Sequence, residues 1–384
     1  MEKKRLGDIC EIVTGATPKT NIKEFWDGDI NWITPAELTE DTYIINESLR
    51  KITTEGVEKT GLKSFPKGTV ILSSRAPIGK VAIAGYEMYC NQGFKNLICS
   101  KQINNRFLYW YLKGHKEYLN SLGRGATFKE ISKAIVENIE ICLPTLEKQE
   151  KYADILEQCN GIIQIKKGQL RKLDTLVKSR FAEMFGDPIR NPKGWKVVTI
   201  GDIVTEVRYG TSKPAVEGGK YPYLRMNNLT ADGHLDLNDL KYIDISDDEV
   251  EKCVVRKGDV LFNRTNSIDL VGKTAVFDLQ DDMVIAGYII RVRLNEKILP
   301  EVLSQYMNLE ALKDILRSMA KGAVNQANIN AQELQSIRVY VPDIELQKQF
   351  VEMKDQVDKS KSKIQKSLEE TQLLFDSLMQ KYFG

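Results

Sequence analysis

Two glycine–lysine pairs, Gly79-Lys80 and Gly272-Lys273-Thr274, are the first candidates for chemistry in this chain. A phosphate-binding loop reads Gly-x-x-x-x-Gly-Lys, and its first glycine opens a cradle of main-chain N–H groups. Six residues before each lysine stand Ser74 and Ser267, so the cradle fails in both places. No Gly-x-Gly-x-x-Gly follows an apolar strand, and no Gly-x-Ser-x-Gly elbow is present. The two histidines, His115 and His234, and the six scattered cysteines give no zinc spacing. These residues read as a chain without an active site of its own.

Binding chemistry is better represented. Loops rich in glycine, small polar and basic residues recur along the chain. In the first half they place Thr17, Lys19, Thr34, Ser74, Arg75, Asn91, Gln92, Arg124 and Thr127. In the second half they place Ser212, Lys213, Arg225, Asn227, Asn228, Asn263, Arg264, Asn266, Lys321, Asn325 and Gln326. Arginine pairs bidentately with guanine and Asn or Gln with adenine, while lysines and hydroxyls hold phosphates. Duplex DNA is therefore the expected ligand. Arg75 and Arg264 stand out, since aligning Ser74-Arg75 with Asn263-Arg264 keeps an arginine in both halves just after an apolar strand.

The elements that must position these loops are written twice. Leu6-Gly7-Asp8-Ile9 returns as Ile200-Gly201-Asp202-Ile203, and Lys67-Gly68-Thr69-Val70-Ile71-Leu72 as Lys257-Gly258-Asp259-Val260-Leu261-Phe262. Gln149 returns as Gln347, and Phe185-Gly186 as the final Phe383-Gly384. Glycines and apolar residues match between the copies, while the polar loop residues mostly differ. Matching positions suit a scaffold and differing ones suit the reading of different bases. Each copy begins with a mixed α/β domain. Residues 67–72, 81–84, 97–99, 139–143, 259–262 and 337–341 read as short buried strands. Residues 105–121 and 300–319 read as helices, the second opened by Pro300, and Ser246 with Glu249 reads as a capping box.

Each copy ends in a long helix. Tyr152, Ile155, Cys159, Ile162, Leu173, Leu176 and Met184 fall at near-heptad spacing, as do Phe350, Met353, Val357, Ile364, Leu374 and Leu378. Lys166, Ser360, Ser367 and Thr371 break the pattern. The spacing predicts a coiled-coil pair; a helix of ~40 residues spans ~60 Å at ~1.5 Å per residue, enough to space two domains. The expected boundaries are 1–144 and 195–342 for the domains, 145–185 and 343–384 for the helices, and 186–194 for a linker rich in proline and glycine.

Composition agrees with a folded, cytoplasmic chain. Of 384 residues, 42% are hydrophobic and 28% charged, and no apolar run approaches the ~20 residues of a membrane span. The charged opening lacks the apolar stretch of a secretory signal. Basic and acidic residues number 55 and 53, so a DNA-binding face must be a local cluster.

Over essentially its whole length the sequence resembles the specificity subunits of type I restriction–modification systems. The carriers are Leu6-Gly7-Asp8-Ile9, Trp32-Ile33-Thr34-Pro35, Ser73-Ser74-Arg75-Ala76-Pro77-Ile78-Gly79, Leu143-Pro144 and the hinge from Met184-Phe185-Gly186-Asp187-Pro188 to Asn191-Pro192-Lys193-Gly194-Trp195. The resemblance implies two target recognition domains joined by a pair of long antiparallel helices, each domain reading one half of a bipartite, asymmetric site. It implies docking of two modification (methyltransferase) subunits and two restriction (translocase and endonuclease) subunits. S-adenosylmethionine, ATP and magnesium would then belong to those partners, and none to this chain. Two other readings compete: a scaffold of two non-nucleic-acid binding modules on a coiled coil, and an enzyme with an unrecognised carboxylate site.

Overall fold

The central strands of each domain open on three consecutive apolar residues because both of their faces are covered. In the computed structural model, which describes residues 2–125, 129–323 and 326–384, strand Val70–Ser73 sends Val70 and Leu72 into one cluster and Ile71 into another. Its counterpart Val260–Asn263 does the same with Val260 and Phe262 against Leu261. Side chains alternate along a strand, so a continuous apolar run is what two cores require.

The chain divides into two compact units, one of Met1–Lys167 with Lys366–Gly384 and one of Gly168–Gln365. In the first, Glu2–Arg5 pairs antiparallel with Glu140–Leu143. A five-stranded sheet runs in the order Cys10–Thr14, Phe94–Cys99, Val70–Ser73, Val81–Ala84, Ile44–Ile45. A three-stranded sheet sets Trp26–Ile33 between Arg50–Ile52 and Tyr89–Cys90. The second unit repeats the plan. Lys196–Thr199 pairs with Arg338–Val341, and four strands run Val204–Tyr209, Ile289–Leu294, Val260–Asn263, Thr274–Val276. Four more run Lys241–Ile243, Tyr221–Leu224, Met283–Ile285, Val254–Val255. It adds a small sheet of Thr265–Asn266, Gln326–Asn328 and Lys321–Ala323. Among the described residues no helix is long and apolar enough to cross a membrane.

Two expected helices are each broken in two. Residues 105–121 form Asn105–Gly114 and Lys116–Ser121, separated by His115. Residues 300–319 form Pro300–Met307 and Glu310–Met319. Between the latter, the Asn308 amide is tied to Thr274, donating to its carbonyl at 2.5 Å. That tie lies in a distant strand and leaves no mark on helical periodicity. Proline does open Pro300–Met307. The Ser246–Glu249 capping box is not formed: the Ser246 side chain makes no cap bond, and the Glu249 carboxylate turns to Thr211 Oγ1 at 2.9 Å and Lys213 Nζ at 2.5 Å. A cation and a hydroxyl outcompete one main-chain N–H for the carboxylate.

The long helices are Leu146–Phe185 and Ile344–Phe383. Within the first unit, Tyr152 stacks on Tyr382 at 3.9 Å, and Lys166 Nζ donates to Ser367 O, Ser367 Oγ and Thr371 Oγ1. Within the second, Phe181 and Phe185 meet Phe350, and Asp174 pairs with Lys361 at 2.6 Å. The numbers run in opposite directions, so the segments pack antiparallel in each unit. Three of the pattern breaks, Lys166, Ser367 and Thr371, are thus one shared polar layer. The buried stripe differs from the expected seam: Ile162, Leu176 and Leu374 are exposed, while Ala153, Leu156, Ile163, Val177 and Phe181 are buried. Each helix buries itself against the domain as well as against the other helix, which widens and turns the apolar face away from a strict heptad.

Gln149 and Gln347 explain their recurrence. Both are fully buried at the start of a long helix. Gln149 accepts from Asn104 N at 2.8 Å and donates to Gln102 O and Pro144 O; Gln347 accepts from Leu299 N at 2.8 Å and donates to Lys297 O and Pro342 O. Each closes three main-chain groups where a domain helix meets a long helix.

A charged network braces the second unit. Arg291, almost fully buried, bonds to Val254 O and to Glu206 at 2.7 Å, and Arg293 reaches Glu206 at 2.8 Å and Asp259 at 2.9 Å. Burial pushes the Glu206 carboxyl up, but Arg208, Arg291 and Arg293 outweigh it and hold it below its usual range. A depressed carboxyl contributes stability that is present above its unfolded value of ~4.3 and is lost as pH falls through the folded value. Urea unfolding of Glu206→Gln should therefore show lower stability at pH 7 and a smaller further loss at pH 4 than the parent. An unaltered pH dependence would remove Glu206 from the acid response.

Candidate nucleic-acid interface

In each unit the candidate loops hang from the ends of the buried strands, and main-chain bonds fix them there. Gly15 and Gly210 start the first loop of each unit. A Cβ on either would collide with the carbonyl oxygen of Cys90 or Ile285, so only glycine lets the loop cross the strand end. Ala16 N then bonds Cys90 O at 3.1 Å, and Thr211 N bonds Ile285 O at 2.9 Å.

Aromatic side chains pin these loops from below. In the first unit Trp32 Nε1 donates to Ala16 O at 3.0 Å and Trp26 Nε1 to Lys19 O at 3.2 Å, the two rings meeting edge to face. Thr17 and Lys19 are thereby held at the surface, with Thr17 Oγ1 donating to Gln92 Oε1 at 2.5 Å. In the second, Tyr223 OH lies within reach of Thr211 O and Lys213 O, at 3.2 and 3.1 Å, which presents Ser212 and Lys213.

The glycine–lysine pairs also have a structural purpose. Lys80 Nζ donates to Pro35 O at 3.1 Å and Leu38 O at 2.5 Å; Lys273 Nζ donates to Met226 O at 2.8 Å and Leu229 O at 2.5 Å. Each ammonium closes the carbonyl end of a short helical turn, Pro35–Glu37 or Met226–Asn228. Burial pushes Lys273 below its ordinary value, as a cation among carbonyls alone should show. Each turn carries a candidate at its start. Thr34 caps one, with Glu37 accepting from its N–H and hydroxyl. Arg225 opens the other, its N–H bonded to Asn228 and its guanidinium to Asp239 at 2.7 Å.

The candidates separate by exposure. Ser74, Asn228 and Asn263 are buried, and their hydrogen bonds run inward. Ser74 Oγ accepts from Lys95 Nζ, Asn228 donates to Asp236 O, and Asn263 donates to Thr265 O and Tyr288 O. These three hold the loops from inside the domain. Thr34, Arg75 and Asn91 come together along one cleft of about 740 Å³ that also includes Lys129. Arg75 lies 3.8 Å from Glu130, which Lys95 also reaches at 3.1 Å, and exposed Arg124 is joined to Glu130 through the main chain. In the second unit Asn266 lies on the small sheet that Lys321 and Gln326 extend, with Lys321 paired to Glu333 at 2.5 Å; Asn227 is exposed on its turn. Thr127 and Asn325 lie outside the described residues.

Bonding corrects the pairing of Arg75 with Arg264. Ser73 N bonds Lys80 O as Asn263 N bonds Lys273 O, both at 2.8 Å. Ser74 N bonds Gly93 O as Arg264 N bonds Tyr288 O, and Ile131 N bonds Ser74 O as Ile329 N bonds Arg264 O. Arg264 therefore stands where the first unit has Ser74, and Arg75 corresponds to Thr265. Matching like letters across loops of unequal length slipped the register by one residue. The arginines occupy different places, so the two faces differ more than the sequence suggested. Lys129, Glu130, Tyr209 and Tyr288 were not among the candidates; for Tyr209 and Tyr288 an aromatic residue next to a loop glycine, Gly210 or Gly287, was the available signal.

The comparisons with known proteins follow the same division. The model of the family described as the type I restriction modification DNA specificity domain matches residues 1–175 and again 192–371. The chain belongs to this family. Among specificity-subunit relatives, it is 38% identical to the MjaIX specificity subunit of Methanocaldococcus jannaschii over 59% of this chain and 57% of that subunit. It thus spans little more than half the length of that relative. With the EcoKI specificity subunit of Escherichia coli K12 it is 25% identical over 85% of this chain and 76% of that subunit. In fold, it is similar to the crystal structure of a type I restriction–modification S subunit from M. genitalium, with TM-score 0.61 and 14% identity, covering 100% of this chain and 96% of that one. A second structure, from work on complex assembly in a type I system, gives TM-score 0.57 at 19% identity, covering 100% and 97%. Both structures match this chain in fold along its whole length.

Proposed function

We propose that the chain recognises duplex DNA for a type I restriction–modification complex, each unit reading one half of a bipartite, asymmetric site. The observation that carries this is the contrast within each repeat. Bonds under the loops recur in both units, from Gly15 and Gly210 to Lys80 and Lys273, while the side chains they present differ. A shared scaffold with divergent faces suits two different half-sites. Family membership and the names of the relatives support the same reading. The chain contributes recognition. Methylation and cleavage, with S-adenosylmethionine, ATP and magnesium, belong to two modification and two restriction subunits docked on it.

Fluorescence anisotropy with duplex DNA at two salt concentrations, followed by methylation mapping with the modification partner, tests this. Binding should weaken steeply with salt, and the mapped site should have two separated parts. No binding at either salt concentration would favour the non-nucleic-acid scaffold. Arg75→Ala should weaken one half-site only, by about 1–3 kcal/mol if it reads a guanine. An equal loss on every sequence would assign Arg75 to phosphates.

A further inference from the structure

One group of side chains on the second unit has no counterpart on the first. Arg264 lies over the ring of Tyr209 at 4.9 Å and donates from Nη2 to Asn328 Oδ1 at 2.9 Å. Its main-chain N–H bonds Tyr288 O at 2.9 Å, which places the two residues side by side. Tyr209 is 45% exposed and Tyr288 50%, large values for rings next to a buried strand. Tyr209 is itself anchored, its hydroxyl accepting from Ala331 N at 2.8 Å. Strand register gives the equivalents: Tyr209 pairs with Ile290 as Thr14 pairs with Lys95, and Tyr288 and Gly93 accept the same bond. Where the second unit has Tyr209, Arg264 and Tyr288, the first has Thr14, Ser74 and Gly93.

We infer that Arg264 reads a guanine in the half-site of the second unit, and that Tyr209 is the positioning residue that presents its guanidinium. The inference rests on the DNA-reading proposal above and adds the base and the device. Arg75, Arg225, Lys213 and Lys321 each face a carboxylate, whereas Arg264 faces a ring and an amide, which orient it without neutralising it. A phosphate needs only a positive charge. A guanine edge needs two donors in one plane, and stacking on an aromatic ring fixes that plane.

The test uses the full chain with its modification partner, mapping methylated sites for the parent and for Arg264→Lys, Tyr209→Phe and Tyr209→Ala. Arg264→Lys keeps the charge and loses the planar pair of donors. It should relax one G·C position of the second half-site by roughly 5- to 150-fold, the range of a bidentate contact, with the first half-site unchanged. Tyr209→Ala removes the ring and should relax the same position to a smaller degree; Tyr209→Phe keeps the ring but loses its bond to Ala331 N, so its relaxation should fall between that of the parent and that of Tyr209→Ala. Parental specificity in Arg264→Lys would overturn the inference, as would a second half-site without a G·C pair. A parent chain that binds DNA without any sequence preference would instead overturn the recognition proposal itself.

Discussion

Replacing Gln149 and Gln347 together by leucine should lower the unfolding free energy by about 2–6 kcal/mol, taking about 1–3 kcal/mol for the groups stranded at each site. Each glutamine is fully buried and closes one N–H and two carbonyls. Leucine has similar bulk and no polar atoms, so the loss isolates the hydrogen bonds from the packing. The two sites fall in different units, and their costs should add. The total is a large fraction of the ~5–15 kcal/mol by which domains are stable. Calorimetry of the two single variants and the double variant measures it. Melting temperatures equal to the parent's would show that other groups close these carbonyls and that the recurrence of glutamine is incidental.

Lengthening both long helices by seven residues should lengthen the DNA spacer by about three base pairs while leaving both half-site sequences unchanged. Seven residues add ~10.5 Å at ~1.5 Å per residue, and duplex DNA rises ~3.4 Å per base pair. The structure indicates where to insert. Lys166 with Ser367 and Thr371 forms one contact set, and Asp174 with Lys361 another. Insertions after Leu170 and after Ile364 fall between these sets on both helices and keep the 3–4 seam spacing. Three base pairs also turn the half-sites by roughly 100°, at ~10.5 base pairs per turn, so some affinity should be lost as well. Methylation mapping of the insertion variant gives the spacer directly. An unchanged spacer in an active variant would mean that the helices do not set the distance.

The duplication, the mixed domains and the long helices were legible because each is a local or periodic property. Val70-Ile71-Leu72 reads as a buried strand from three adjacent residues, and the recurrence of Gln149 as Gln347 is visible without knowing what either bonds. The positions of many exposed loop candidates, such as Thr17, Lys19, Gln92, Asn227 and Gln326, were legible for the same reason, since turn residues between apolar strands reach the surface.

Partners far apart in the chain decided the rest. The missing first glycine already argued against Lys80 and Lys273 as phosphate ligands, but only the structure shows their ammonium groups closing the turns at Pro35 and Met226. Ser74, Asn228 and Asn263 looked like readers, but their donors and acceptors meet groups inside the domain. Glu249 left its cap for Lys213, 36 residues away in sequence. The register of Arg75 against Arg264 depended on strand hydrogen bonds that letter matching cannot weigh. Amino-acid type and spacing determine which side chains alternate in and out of a strand or helix. Which polar atom finds which partner depends on distances of about 3 Å between remote segments, and only the tertiary structure sets those.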